Sequence, residues 1–433
     1  MPMDTKKPNT YLYGNQKVLY LLLSDDKVPK SDETKEEVGE EGEIDGQDEE
    51  EDEDEMNEFE DEDTVDLRAY QVLGGVLYFD LLTLPPQPKQ VKGWIMTQVT
   101  SSELQRVPYP PVEATKLSQT LSGTITMGQT LDPKALANAA AATEALGAPP
   151  VGVKFKLPDN VLYSEEPQLV YWSEKGSHWR LDGFTDITYN EDEKNISFKT
   201  INFGPLACIQ DKHINMPFQS WELRPLGSNH TKLTVVSAIL EVEIEIKDAL
   251  CCFHLTAESD PKPGLDSIMN KWMTPPNLIK AMRSSGVNLF PERDSHKYVS
   301  ITEKDENVEA AVYEQMSLTA SNFAYSWSKW NCEASQEKIV ILGAEKLDGN
   351  ALTDEEWSML LMRNERCFKL KMKEFDEEFS EVYADGIQFH ADLYHMVIEL
   401  SSDAGRERMG QTDFKFVDAV NQILSASKVI TYS

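Results

Sequence analysis

Catalysis by this 433-residue chain would need a nucleophile or an acid–base group positioned with partners, and a metal site would need clustered ligands. His390 and His395 lie five residues apart in a predicted helix, so their side chains point about 140° apart and cannot share a metal ion. The chain contains no His-Glu-x-x-His motif, no Cys-x-x-Cys pair and no Gly-x-Ser-x-Gly elbow. We therefore predict no catalytic, cofactor-binding or metal-binding residue, and we expect a protein that is not an enzyme.

The cysteines do not form a disulfide framework either. They are five in number and irregularly spaced, at Cys208, Cys251, Cys252, Cys332 and Cys367. An odd count without regular spacing predicts reduced thiols, most of them buried.

Aromatic residues beside proline and arginine are the strongest candidates for a function. They are concentrated in the segment from His213 to Pro225, and again from Ala324 to Trp330. Tyr, Trp and Arg often anchor protein interfaces, although they also fill the cores of β-sandwiches, and that alternative stays open for each tryptophan. The loop 213–218 is predicted to be the surface element. The candidate partner-binding residues are His213, Asn215, Met216, Phe218, Trp221, Arg224, Trp327 and Trp330.

The elements that position these residues are predicted to be mainly β-strands. From Val151 to Leu157, and again from Glu241 to Lys247, apolar and polar residues alternate with the period of a half-buried strand. Short strand-like runs separated by turn residues lie between them, which is typical of an antiparallel β-sandwich. After residue 261, helical and strand patterns mix. Helices are predicted at Pro276–Ser285, where Gly286 stops the helix, and at Ile387–Ser401 and Thr412–Ser425, and a hairpin is predicted between Met359–Met362 and Arg366–Met372.

The sequence thus predicts a mixed β and α+β chain. Residues 1–64 are expected to be disordered, 65–260 to form an antiparallel β-sandwich-like domain, and 261–433 to form a smaller α+β domain. Residues 108–150, rich in Ser, Thr, Ala and Pro, are predicted to be a flexible insertion in the first domain.

The negative charge is concentrated near the N-terminus. Residues 31–63 contain 21 acidic residues and one basic residue, which accounts for about −20 of the net charge of −34. Without a cluster of Lys and Arg, the chain is not expected to bind nucleic acid or an anionic membrane surface. The apolar run Val18–Leu23 is too short to span a bilayer and lacks a signal-peptide cleavage site, so we expect a location in the cytoplasm or a compartment continuous with it.

Several short motifs carry a resemblance to a known family. They are Leu73-Gly-Gly-Val76, Val91-Lys-Gly-Trp94, His178-Trp-Arg180, Asp182-Gly183, Phe203-Gly-Pro205, Ile209-Gln-Asp211, His213 to Leu226, Trp272-Met-Thr-Pro275, Trp327-Ser-Lys-Trp-Asn331 and Leu393-Tyr-His-Met-Val397. From about Val65 onward the chain resembles the C-terminal module of the axonemal dynein intermediate chain seven family, also called cancer susceptibility candidate one.

The resemblance implies a non-catalytic subunit in the axoneme of cilia or flagella. Its partners would be the axonemal dynein heavy, intermediate and light chains, with α/β tubulin as a further expected partner. The family carries a long, charged, helical N-terminal region where this chain has only the acidic stretch, so a short isoform and an incomplete gene model are both open. Because tubulin is itself acidic, residues 31–63 should repel it.

A second function stays open on the residues alone. The acidic segment could shield a basic client or an assembling complex, as a chaperone-like protein does. Deleting residues 31–63 separates the two hypotheses, because client or axoneme binding that survives the deletion would exclude the chaperone-like function.

Overall fold

The structure of the chain is a computed structural model. It describes residues 11–12, 17–24, 63–83, 88–97, 105–107, 109, 149–256, 262, 264–347, 351–363, 366–386 and 389–433. The acidic residues 31–62 and almost all of the predicted insertion at 108–150 lie outside the described residues.

Strands make up most of the described chain. In order they are Tyr11–Leu12 (β1), Lys17–Ser24 (β2), Tyr70–Thr83 (β3), Lys89–Val91 (β4), Trp94–Met96 (β5), Val151–Lys156 (β6), Gln168–Ser173 (β7), His178–Arg180 (β8), Phe184–Asn190 (β9), Asn195–Thr200 (β10), Gly204–Asp211 (β11), Ser220–Gly227 (β12), His230–Val236 (β13), Glu241–Lys247 (β14), Leu250–Leu255 (β15), Trp272–Met273 (β16), Phe323–Ser326 (β17), Lys338–Glu345 (β18), Ser358–Arg363 (β19), Arg366–Lys369 (β20) and Phe389–His390 (β21).

The described helices all lie toward the C-terminal end. They are Pro275–Ser284 (α1), Glu306–Thr319 (α2), Leu393–Leu400 (α3), Asp403–Gly410 (α4) and Phe414–Ser427 (α5). The structure therefore confirms the predicted fold class, a mainly antiparallel β chain with helices in its later part. Among the described residues, no helix combines the length and apolar character needed to cross a bilayer.

The helices begin and end where side-chain chemistry favours it. The Asp305 carboxylate accepts the backbone N–H of Asn307 and of Val308 and so caps α2. Pro275 lies in the first turn of α1, where its missing N–H costs no hydrogen bond. Gly286 follows α1 with a φ of 89°, which favours glycine, as expected for the residue predicted to stop this helix.

The chain divides into two compact units. The N-terminal unit comprises 1–66, 72–158 and 166–209, and the C-terminal unit comprises 67–71, 159–165 and 210–433. The predicted boundary at 260/261 instead falls within the C-terminal unit. Strands β12 to β15, expected in the first domain, belong to the same sheet as β17 to β21, because Leu223 on β12 pairs with Tyr325 on β17.

The N-terminal unit contains a six-stranded sheet, ordered β1-β2-β3-β11-β7-β8, and a three-stranded sheet, ordered β6-β10-β9. The Tyr171 ring of the first sheet meets the Phe184 ring of the second at 6.2 Å, and Phe184 packs edge-on against the buried Phe198. The expectation that residues 1–64 are unfolded differs from the structure at β1 and β2. Strand β2 pairs with β3 from Lys17 to Ser24, since its apolar run can extend the sheet.

The C-terminal unit is built on a ten-stranded sheet, ordered β16-β15-β14-β13-β12-β17-β18-β19-β20-β21. Cross-strand pairing places Leu223, Leu233, Ile244 and Phe253 in one buried row on its inner face. The main core of the unit also contains apolar residues of α1, α2, α3 and α5. Gly343 on β18 allows close packing there, because a Cβ would lie only 2.8 Å from the side chains of Leu360 and Phe323.

The outer face of this sheet differs along its width. Around β13 and β14 it carries ion pairs, in which the Lys232 ammonium contacts the Glu243 carboxylate at 2.5 Å and the His230 ring contacts Glu245 at 2.6 Å. Toward β18 to β20 a second apolar cluster forms around Trp330, Val340, Met359, Leu361, Leu370 and Met372.

Candidate partner-binding site

The predicted surface loop 213–218 connects β11 to β12. Its candidate residues His213, Asn215, Met216 and Phe218 are buried, whereas Pro217 is exposed. His213 is 5% exposed, its ring stacks on the Tyr298 ring at 5.2 Å, and its Nε2 contacts the Ser295 hydroxyl at 2.9 Å. Asn215 is fully buried, donates to the Asn288 carbonyl at 3.4 Å and accepts from the Ser237 hydroxyl at 3.2 Å. These side chains satisfy polar groups inside the C-terminal unit.

The apolar residues of the same segment belong to the main core of the unit. Met216, Phe218 and Trp221 are 8%, 4% and 2% exposed. The peptide bond before Pro217 is cis, and the backbone N–H of Phe218 donates to the carbonyl of Tyr432 at 2.6 Å. The prediction that this loop lies at the surface is therefore wrong in this structure, because its aromatic residues complete the core and its backbone bonds the C-terminal residues.

The two tryptophans of the later motif lie in different surroundings. Trp327 is half-buried against the main core, and its backbone N–H donates to the backbone carbonyl of Trp221 at 3.0 Å, so the structure brings these two candidates together. Trp330 is 2% exposed in the second cluster, with the Lys329 ammonium 4.3 Å from the centre of its ring. Only Trp327 and Arg224 of the eight candidates retain substantial solvent exposure.

Two buried ionisable groups, Glu309 and Lys304, bond the protein's own backbone. The Glu309 carboxylate accepts from the Tyr313 hydroxyl at 2.8 Å and from the backbone N–H of Thr431 at 3.0 Å. Burial raises the pKa of Glu309, although these hydrogen bonds oppose the shift. Burial lowers the pKa of Lys304 to about 8, and its ammonium donates to the carbonyls of Asn331, at 2.7 Å, and Ala334, at 3.0 Å. Their contacts are structural, because both groups bond the protein's own backbone.

Arg224 lines an open groove on the outer face of the ten-stranded sheet. The groove has a volume of about 320 Å³. Its walls come from β12, β17, β18, β19 and the segments 354–357 and 372–375. The lining residues are Glu222, Arg224, Ser326, Leu342, Asp354, Glu355, Trp357, Met359, Met372, Lys373, Glu374 and Phe375. We refer to it as the acidic groove.

The acidic groove combines an apolar floor with charged walls. Met359 and Met372 are 1% and 6% exposed at its base, and the Phe375 ring is 77% exposed. Arg224 forms an ion pair with Glu222. The residues of this groove were not predicted as a set, because they come from distant parts of the chain and carry no common motif.

A second exposed apolar surface lies in the N-terminal unit, on the hairpin of β4 and β5. Residues 89–96 form their own hairpin, in which β4 pairs antiparallel with β5. Lys92 and Gly93 turn the chain with φ of 48° and 85°. Trp94, Ile95 and Met96 are 77%, 75% and 59% exposed.

Metal-binding or redox chemistry receives no support from the described side chains. In the part of the chain that the structure describes, no group of three or more His, Cys, Asp or Glu residues is arranged to hold a metal ion. The five cysteines are free thiols; four are buried and Cys332 is exposed. Burial raises the pKa of the Cys251 thiol to about 12, which disfavours a reactive thiolate there.

Comparison with known proteins agrees with the motif resemblance. No family model matches the chain. It is 42% identical over 352 residues to the dynein axonemal intermediate chain 7 homolog of Ciona intestinalis, with 78% of this chain and 46% of that protein aligned. The dynein axonemal intermediate chain 7 of Danio rerio is 40% identical over 369 residues, 85% of this chain and 48% of that protein.

The corresponding human protein is 37% identical over 376 residues, covering 87% of this chain and 49% of its own length. The chain thus spans about half the length of these curated homologues. These homologues confirm the resemblance that the sequence motifs indicated.

Proposed function

We propose that this chain, a homologue of the dynein axonemal intermediate chains 7, is a non-catalytic subunit associated with axonemal dynein in cilia or flagella. It supports or regulates motility through contacts with the heavy, intermediate and light chains. The observation that carries the proposal is the extent of the similarity. An alignment of 352 residues or more is longer than either compact unit, so it includes residues of both.

The exposed surface has features that are typical of proteins that act by binding other proteins. The described chain offers an open groove and a protruding hairpin with apolar side chains in solvent, both of which are features of interaction sites. The buried ionisable groups Glu309 and Lys304 bond the protein's own backbone instead of converging on an open pocket.

We extend the proposal to tubulin through the hairpin of β4 and β5. Residues 88–97 include Lys89 and Lys92 beside the exposed Trp94 and Ile95, and no acidic residue. The tubulin surface is acidic, so a basic, aromatic hairpin has the complementary charge. This contact would weaken as the salt concentration rises, because exposed charges are screened.

The decisive experiment follows the tagged chain in motile cilia. Axonemes are isolated and extracted with high salt, and the extract is separated by sedimentation. We expect the chain to co-sediment with a dynein heavy chain and to be crosslinked to it at lysines. Recovery of the chain only in the soluble cell fraction, without a dynein chain among its crosslinks, would refute the proposal.

A further inference from the structure

The acidic groove carries charges that its own residues leave unmatched. Both oxygens of the Glu374 carboxylate are used, one by the Ser328 hydroxyl at 2.6 Å and one by the backbone N–H of Lys329 at 2.8 Å. Glu222 is paired with Arg224. Four carboxylates line the groove, and the other two have no partner among these contacts.

Those two carboxylates are the exposed neighbours Asp354 and Glu355. Neither makes a hydrogen bond or ion pair with any residue that the structure describes. The Lys373 ammonium of the groove donates to the carbonyl of Trp357 at 3.4 Å, and its charge balances one carboxylate. The four carboxylates and two cations that line the groove therefore leave it a net charge of −2. Two adjacent like charges repel each other, so a cation bound beside them would be stabilised.

The exposed apolar side chains of the acidic groove favour a second kind of contact. Phe375 is exposed over 77% of its surface at the rim, while Trp357 is half-buried and Met359 and Met372 form the floor. An aromatic side chain exposed to water gains free energy when another apolar side chain covers it. The occupant must therefore supply apolar area as well as positive charge.

We propose that the acidic groove binds a segment of a partner protein that carries a Lys or Arg beside a bulky apolar side chain. The cation lies against Asp354 and Glu355, and the apolar side chain packs on Phe375 and Trp357. Nucleic acid is excluded as the occupant, because its phosphates would meet unpaired carboxylates. This inference rests on the proposed function, of which it specifies the chemistry of one contact.

Binding is tested first with short random peptides displayed on phage and selected on the full-length chain. We expect the enriched peptides to carry Lys or Arg next to Phe, Trp, Leu or Met. Synthetic copies of them should bind the double variant D354K/E355K and the variant F375S about tenfold more weakly or worse, the change that loss of one good contact brings.

Matched controls separate the groove from general effects of charge and exposure. E377K/E378K reverses two exposed carboxylates outside the groove, and F414S removes a phenylalanine that is 75% exposed on α5. Both controls should bind the peptides like the original chain. Enriched peptides without a basic residue, or equal binding by the groove variants and the controls, would overturn the inference.

The same variants are then followed in axonemes, which distinguishes this inference from the broader proposal. If the original chain co-sediments with dynein and D354K/E355K is released at lower salt than E377K/E378K, the groove is a contact within the complex. If both double variants co-sediment equally, the groove inference fails alone. If the original chain does not co-sediment with dynein, the proposed function fails, whatever the peptides show.

Discussion

Two tryptophan-containing segments of this chain, 213–221 and 89–96, differ in their surroundings. In segment 213–221, Trp221 is 2% exposed and the backbone bonds the C-terminal Tyr432. In the hairpin 89–96, Trp94 is 77% exposed, and its strands bond only each other in the described pairing. Both segments contain a tryptophan, so residue type alone does not decide whether an aromatic side chain lies in the core or in solvent. The contacts that its segment makes with the rest of the unit decide this.

Truncation of Trp221 should produce the largest difference in stability between the two segments. Trp221→Ala removes a buried side chain from the main core, and we expect the free energy of unfolding to fall by about 3–5 kcal/mol. Trp94→Ala is the matched control and should change it by no more than about 0.5 kcal/mol. Urea denaturation followed by circular dichroism measures both, and equal losses in the two variants would contradict the difference drawn here.

Loss of the polar contacts of segment 213–221 should have the next largest effect on the free energy of unfolding. Asn215→Ala leaves the buried carbonyl of Asn288 and the Ser237 hydroxyl without this partner, and we expect a loss of about 1–3 kcal/mol. Asn307→Ala changes an exposed asparagine and serves as the control in the same urea titration. An unchanged unfolding midpoint for Asn215→Ala would mean that these bonds do not hold the segment.

A pH titration should reveal how the C-terminal residues that bond this segment are held. Burial raises the pKa of Glu309, so the folded state binds its proton more tightly than the unfolded state does. Its contribution to stability is present at pH values below the unfolded pKa and is lost as the pH rises through the folded pKa. Glu309→Gln should therefore gain stability relative to the original chain as the pH is raised from about 4, close to the ordinary glutamate pKa.

Glu306 on the same helix is the control of opposite sign. A hydrogen bond from Lys428 lowers the pKa of its carboxyl. Its contribution is present above the unfolded pKa and is lost as the pH falls through the folded pKa. Glu306→Gln should lose stability relative to the original chain as the pH rises. The same direction for both variants, in urea denaturation across this range, would contradict the roles assigned to them.

The smallest effect on stability, with a clear effect on binding, is expected in the hairpin. W94S/I95S should leave the free energy of unfolding within about 0.5 kcal/mol of the original, because both side chains are in solvent. Co-sedimentation with microtubules polymerised from purified tubulin should decrease. Phe414→Ser is the control for removal of an exposed aromatic group, and an equal decrease in that variant would exclude a specific role for the hairpin.

Local features of the fold could be predicted from sequence. The alternation of Val242, Ile244 and Ile246 with glutamates predicted β14, and these three residues are buried in the sheet. The paired runs 359–362 and 366–372 were predicted as a hairpin, and β19 and β20 pair antiparallel there. Helices at 276–285 and 412–425 were also predicted, within two residues of α1 and α5. Each of these signals depends on neighbours in the chain.

The candidate site was harder to predict. The acidic groove is assembled from residues between 222 and 375, and no spacing along the chain links Arg224 to Asp354. The role of Phe218 depends on a bond to Tyr432, more than 200 residues later. A search for conspicuous aromatic motifs therefore favoured residues that complete the core, while the exposed Phe375 has no motif around it.

The strand and helix periods and the resemblance to a family could be predicted from the amino-acid sequence alone, because these depend on residue types at short spacing. Only the tertiary structure decided that segment 213–221 is buried, that β12 joins β17, and that unpaired carboxylates lie beside an apolar floor. The physical reason is that burial and pairing are set by long-range partners. A tryptophan is buried, like Trp221, or exposed, like Trp94, according to which residues from the rest of the chain pack against it.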